Sequence, residues 1–145
     1  MQKICKEKVL KYLNYGIIIK RGKVMAKLLI VDDEADVREF AANFFRKRKI
    51  DCITASSGEE ALTKIEKEKA DLILLDIKMG GVDGIETLKR LRELNKDIKV
   101  IMVTGRKPEE EGSFEKCRQL GAIDYIHKPL ELDELEQVVM KALKT

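Results

Sequence analysis

Residues 71–76 read Asp-Leu-Ile-Leu-Leu-Asp. Four apolar residues in a row, with no alternation toward a polar face, suit a strand that is covered on both sides, so Asp71–Leu75 reads as a buried strand of a parallel sheet. It runs straight into a carboxylate, Asp76. The chain then places Ile85, Leu88, Leu91 and Leu94 on one helical face, completing a strand–helix unit.

The same unit recurs on both sides of this stretch. Upstream, Lys27–Val31 is a short strand, followed by a helix with Val37, Phe40, Ala41, Phe44 and Phe45 inward. Asp51–Thr54 is a second strand, and in the next helix Ser57 caps the first turn, Glu60 reaches back as its capping-box partner, and Ala61, Leu62 and Ile65 face inward. Downstream, Ile98–Val103 is a fourth strand. Glu109–Leu120 is a weaker helix with Phe114, Cys117 and Leu120 inward and Gly112 loosening its first half. Ala122–Ile126 is the fifth strand, and Leu132, Leu135, Val138, Val139, Ala142 and Leu143 mark the last helix. Five right-handed strand–helix units with short connections predict a doubly wound α/β fold, a five-stranded parallel sheet with helices on both faces.

The chain has 145 residues, enough for one compact domain and too few for two ordinary ones. Residues 1–25 carry seven Lys/Arg against one Glu, whereas the remainder has 22 basic and 25 acidic residues. The body is therefore mildly acidic, which argues against a broad nucleic-acid-binding face. Cys5, Cys52 and Cys117 are odd in number and without metal-ligand spacing, so they read as reduced structural thiols. The early apolar run Ile17–Ile19 is far short of the ~20 residues that span a bilayer, and nothing reads as a signal peptide. A cytoplasmic protein with no membrane or nucleic-acid partner is the expectation.

In doubly wound sheets ligands sit beyond the carboxyl ends of the strands. Here those ends carry Asp32 and Asp33, then Asp76, then Thr104, then His127-Lys128-Pro129. Ionised side chains at strand ends covered on both sides are costly unless paired or bound to metal. Two carboxylates ~4 Å apart repel by about 4 kcal/mol at an effective dielectric of 20. A divalent cation removes that conflict, and an all-oxygen set suits Mg²⁺ better than zinc. Thr104 and Lys128 suit the other partner, since a hydroxyl and a fixed positive charge are what a bound phosphoryl group needs. Capping roles for Asp32, Asp33 and Asp76 compete with this reading, as does edge packing for Tyr125. His127, with no second soft ligand near it in sequence, reads as structural or solvent-facing.

The stretches Leu28-Leu29-Ile30-Val31-Asp32-Asp33-Glu34, Leu74-Leu75-Asp76-Ile77-Lys78-Met79, Val103-Thr104 and Tyr125-Ile126-His127-Lys128-Pro129 resemble the response regulator receiver family over residues 26–145. The resemblance implies a CheY-like, flavodoxin-like fold with strand order 2-1-3-4-5. It implies that Asp76 takes a phosphoryl group from a phosphohistidine. Asp33, Asp76 and the Lys78 backbone carbonyl would hold Mg²⁺, with Asp32 acting mainly through a metal-bound water. Thr104 and Lys128 would contact the phosphoryl group, and Thr104 and Tyr125 would form the switch. The implied partners are a sensor histidine kinase or a histidine phosphotransfer protein, and an effector protein docking on helix 4, strand 5 and helix 5. The Lys128-Pro129 bond is implied to be cis.

Further expectations follow from where the chain departs from that pattern. Gly80 stands where the family usually has proline, and with Gly81 it predicts a mobile loop and weaker Mg²⁺ binding. Gly105, Arg106 and Gly112-Ser113 predict a short or frayed fourth helix. Lys78 and Arg106 flank the site and are expected to point to solvent, with a reach to the phosphoryl group or to the entry path of a hydrolytic water as the alternative. Residues 1–25 lie outside the pattern and read as a dispensable extension or mis-assigned start, with a docking helix (Ile4, Val9, Leu10, Leu13) as the alternative. Because only one helix follows Lys128, a stand-alone receiver is expected. Aspartyl-phosphate hydrolases are disfavoured, because their acid–base Asp falls where this chain has Lys78, so self-phosphorylation and slow dephosphorylation are the only catalysis expected.

Overall fold

The computed structural model describes residues 19–20, 23–24, 26–79, 83–95, 97–105 and 113–143. A two-residue antiparallel pair, Ile19–Lys20 with Lys23–Val24, precedes the main sheet. The sheet comprises β1 (Lys27–Val31), β2 (Asp51–Ala55), β3 (Leu72–Asp76), β4 (Lys99–Thr104) and β5 (Asp124–His127), all parallel, in the order β2-β1-β3-β4-β5. The helices are α1 (Ala35–Arg46), α2 (Gly58–Lys67), α3 (Gly84–Leu94), α4 (Ser113–Gln119) and α5 (Leu132–Leu143).

The pleat divides each central strand between two cores. Leu28 and Ile30, Leu72 and Leu74, and Ile101 and Val103 pack with Phe44, Phe45, Leu135 and Val139 of α1 and α5. Their neighbours Leu29 and Val31, Ile73 and Leu75, and Val100 and Met102 pack with Leu88 and Leu91 of α3 and Cys117 of α4. Side chains that alternate between faces, each face roofed by helices, explain why these strands read as unbroken apolar runs. A T-shaped contact between Phe44 and Phe45, and Arg48 stacked 3.6 Å from the Phe44 ring centre, fill the α1 side.

Four strands end one residue later than the apolar pattern predicts: β2 at Ala55, β3 at Asp76, β4 at Thr104 and β5 at His127. The fifth also begins two residues late, at Asp124. The reason is the parallel ladder. Asp76 lies opposite Val103 and Thr104 opposite His127, and the Ile77 amide donates to the Val103 carbonyl at 2.9 Å. Partners on a neighbouring strand carry polar residues into the sheet where hydropathy alone would stop.

Ser57 does cap α2, its Oγ accepting from the Glu60 amide at 3.1 Å. Glu60 does not close a box on Ser57. It accepts instead from the amide and hydroxyl of Ser56, both at 2.8 Å, which hold its carboxyl down to about 2. Phe40, expected inward, is 48% exposed, and Leu94 and Leu132 are also exposed, because each lies at the rim of its helix face. The loop Gly80-Gly81, Arg106, the first half of the expected Glu109–Leu120 helix with Gly112, and the alternatives for residues 1–18 all lie outside the described residues. Among the described residues, no helix is long and apolar enough to cross a membrane. Cys52 and Cys117 are buried, free thiols, and burial pushes the Cys52 thiol up to about 12, against the pull of Arg46.

Candidate functional site

The carboxyl edge of the sheet gathers what the strands deliver. Asp32 directly follows β1, Asp76 ends β3, Thr104 ends β4, and all three are buried. Asp32 and Asp76 continue the parity of Leu28 and Ile30 and of Leu72 and Leu74, so both head toward the α1–α5 side. Lys128, two residues beyond Ile126, has the same parity and meets them. Its Nζ lies 3.0 Å from Asp32 Oδ2 and 3.2 Å from Asp76 Oδ2.

Capping does not explain the two Asp residues after β1, because the N-cap of α1 is Glu34, with no side-chain cap bond. Asp32 Oδ1 instead accepts from the Glu34 amide at 2.9 Å, and the Arg38 guanidinium donates to the Asp32 carbonyl at 2.8 Å. On β3, Asp76 Oδ1 accepts from the Lys78 amide at 3.3 Å. The Lys78 side chain is exposed, in line with the expectation that it faces solvent.

Burial raises the Asp76 carboxyl to about 6, and the charge of Asp32 adds to this, while Lys128 acts in the opposite direction. For Lys128 burial favours the neutral amine but is outweighed by the bond to Asp32 and the charges of Asp76 and Asp32, so its pKa stands above the ordinary lysine value. An acidic group that is hard to ionise beside a base that stays charged marks an electrostatically loaded site rather than a settled ion pair.

Asp33 is exposed, yet Asp32, Asp33 and Asp76 each offer a carboxylate oxygen and these oxygens lie within 4.8 Å of one another. Three hard oxygen donors, one of them open to water, fit a Mg²⁺ ion that keeps part of its hydration shell. Thr104 lies opposite His127 on β5, and its carbonyl accepts from the Lys128 amide at 2.8 Å, so strand pairing sets where Lys128 starts. Tyr125 is half-buried against the α3–α4 core. His127 is half-buried with its Nε2 enclosed, which fits a structural role better than a ligand role. The Lys128-Pro129 bond is cis.

Three residues at the site were not singled out from sequence. Glu34 Oε1 reaches Lys128 Nζ at 3.3 Å, and Arg38 braces Asp32. Gly84 opens α3 so close to the acidic strand that a Cβ there would lie 2.1 Å from the Asp76 carbonyl oxygen and 2.7 Å from Ile77 Cα. Its amide donates to the Ile77 carbonyl at 2.8 Å. The Asp83-Gly84 pair was the available signal, since Asp83 caps the helix through the Glu86 amide and a glycine next to a cap often marks close backbone approach.

A 2-1-3-4-5 sheet with buried carboxylates and a lysine at its switch-point edge defines a receiver-type signalling domain. The model of the response regulator receiver domain family matches residues 28–140, and the chain belongs to that family of two-component phosphoryl-accepting domains. Sporulation initiation phosphotransferase F of Bacillus subtilis is 38% identical over 117 residues, covering 81% of this chain and 93% of the relative. The alkaline phosphatase synthesis transcriptional regulatory protein PhoP of the same organism is 39% identical over 120 residues, but this chain spans only 48% of its length. A CheY-like receiver domain protein from Methanospirillum hungatei superposes with TM-score 0.76 at 30% identity, covering 81% of this chain and 93% of that one. The response regulator TrrA from Thermotoga maritima, in complex with Mg²⁺-BeF, superposes with TM-score 0.70 at 33% identity, covering 81% and 99%.

Proposed function

We propose that Asp76 is the phosphoryl acceptor of this receiver and that a phosphohistidine on a sensor kinase or phosphotransfer protein is the donor. The observation that carries the reading is Lys128, whose ammonium bridges two buried carboxylates from different strands, 3.0 Å from Asp32 and 3.2 Å from Asp76. A fold gains little from burying two like charges, whereas a site that must hold an oxyanion gains a preplaced cation.

An Asp76 oxygen attacks phosphorus, the P–N bond breaks, and the imidazole leaves with the bonding electron pair, taking a proton from solvent. With its carboxyl at about 6, Asp76 is ionised and nucleophilic near neutral pH. Lys128 follows the charge by donating to a phosphoryl oxygen, and the Thr104 hydroxyl donates to another. When bound by Asp33, Asp76 and the Lys78 carbonyl, with Asp32 reached through water, Mg²⁺ supplies positive charge against the phosphoryl oxygens. Thr104 and Tyr125 carry the change to the α4–β5–α5 face, where the exposed Ile123 offers an effector an apolar contact.

A relay role, in which phosphate passes onward to a second histidine, is supported by the near-full overlap with a relative named as a phosphotransferase. Steady hydrolysis of small phosphate esters is disfavoured, since Lys78 stands two residues after Asp76. Incubation with acetyl phosphate and Mg²⁺, followed by intact-mass measurement, tests the core of the proposal. Wild type is expected to gain one phosphoryl group and Asp76→Asn none. Equal labelling of both proteins overturns it.

A further inference from the structure

Asp32 and Asp33 are neighbours in the chain, and neighbours on an extended strand point to opposite faces. Asp32 keeps the parity of Leu28 and Ile30, so a straight strand would send Asp33 away from Asp76. The chain bends at Asp33 instead, and oxygens of Asp32, Asp33 and Asp76 come within 4.8 Å of one another. Convergence of the two adjacent carboxylates therefore depends on the peptide unit that joins them.

That unit consists of the Asp32 carbonyl and the Asp33 N–H. The carbonyl accepts from Arg38 Nη1 at 2.8 Å. Arg38 is half-buried in the first turn of α1, and its own amide donates to the Glu34 carbonyl at 3.0 Å, so the guanidinium reaches back from a fixed helix. The bonds on either side act elsewhere: the Asp32 amide donates to the Ala55 carbonyl at 3.2 Å, and Asp32 Oδ1 accepts from the Glu34 amide at 2.9 Å. Arg38 holds the plane between the two aspartates. By charge alone it is a poor choice at a cation site, because a guanidinium repels a metal ion. Its hydrogen bond is what the site can use.

We propose that Arg38 is a positioning residue of the metal site, which holds the Asp32 carbonyl, sets the angle between the Asp32 and Asp33 carboxylates, and thereby tunes the site to Mg²⁺. The inference rests on the reading that these aspartates hold Mg²⁺. That ion demands near-octahedral ligands at about 2.1 Å, whereas Ca²⁺ accepts looser sets at about 2.4 Å. A site whose adjacent ligands can swing loses Mg²⁺ first.

The test titrates Mg²⁺ and, separately, Ca²⁺ into wild type, Arg38→Ala and Arg38→Met, following backbone amide shifts by NMR. Methionine keeps a long apolar stem and removes both the charge and the donor. Both variants are expected to bind Mg²⁺ about 10-fold more weakly, the lower end for losing a group that orients metal ligands, and Ca²⁺ with a smaller loss. Loss of positive charge alone would tighten both ions alike. Unchanged or tighter Mg²⁺ binding overturns the proposal, and so does an equal loss for the two ions.

A second readout needs no metal. The N–H of the same peptide belongs to Asp33, and its ¹⁵N order parameter in EDTA is expected to fall in both variants. An unchanged value overturns the brace. If wild type itself shows no Mg²⁺-dependent shifts at Asp32, Asp33 and Asp76, the metal reading of the site fails, and the tuning to Mg²⁺ fails with it. The Asp33 order parameter still decides whether Arg38 holds the peptide, so the two failures are told apart.

Discussion

Asp71 and Asp76 sit at opposite ends of the same buried stretch, and the contrast between them separates folding from function. Asp71 is exposed. Its carboxylate accepts from the Lys27 amide at 2.8 Å, and its own amide donates to the Lys27 carbonyl at 2.8 Å, extending the β1–β3 ladder in contact with water. Asp76 is 3% exposed, beside the buried carboxylate of Asp32, and shares one lysine with it. One end uses a charge as the fold would choose. The other holds charges where the fold would avoid them, and stability given up there is available for binding an ion and an oxyanion.

The largest test of this contrast is mechanical. Gly84→Ala would push a methyl group into the Asp76 carbonyl, and a loss of more than about 3 kcal/mol is expected in urea unfolding, in the upper range for overpacking. Gly105→Ala, with nothing within 4 Å of its added carbon, serves as the control at the same edge. A loss below about 1 kcal/mol in Gly84→Ala would mean that α3 can draw back from the acidic strand.

The next effect is electrostatic and has the opposite sign. A carboxyl raised to about 6 is harder to ionise in the fold than in the unfolded chain. Protonation therefore favours the native state: Asp76 opposes folding at pH 8, and the penalty fades as pH falls from about 6 to about 4. In EDTA, Asp76→Asn should stabilise the protein by about 2 kcal/mol at pH 8 and by nothing measurable at pH 4. Asp71→Asn should stay within about 0.5 kcal/mol at both. Matching pH profiles for the two variants would erase the distinction between the ends of β3.

Two smaller changes probe ordinary chemistry on the outer strand–helix unit. Ser57→Ala should cost about 1 kcal/mol at any pH, the usual worth of a cap, read from the urea midpoint. Glu60→Gln should cost less, about 0.5 kcal/mol, because the carboxylate is largely solvated. Its carboxyl is held to about 2, so its contribution is full above the unfolded value near 4.3 and is lost as pH falls toward 2. That trend is the reverse of the one at Asp76. A Glu60→Gln profile that followed Asp76 would mean the two carboxyl groups are not governed by their separate surroundings.

Much of the site was legible because strand ends announce themselves: an apolar run that stops on Asp or Thr names the residue at the sheet edge. Glu34, Arg38 and Gly84 were not legible in that way. An exposed glutamate, a helix-surface arginine and a glycine after a cap are each common in sequence, and only the positions of β1, β3 and β5 around them make them part of the site. Phe40 shows the reverse case. Its helical spacing suggested core, but α1 turns it outward beside a groove of about 580 Å³ bordered by Val37, Pro129 and Leu130.

By itself the sequence determined the alternation of five strands and helices, the doubly wound sheet, and the list of acidic, hydroxyl and basic residues at its edge, because hydrophobic periodicity and strand termini are local properties of the chain. Only the tertiary structure decided that Lys128 meets Asp32 and Asp76 on the α1–α5 side, that Glu34 shares it, and that Asp76 is hard to ionise. Those facts depend on parallel register, pleat parity and burial, which arise from strands distant in sequence lying side by side.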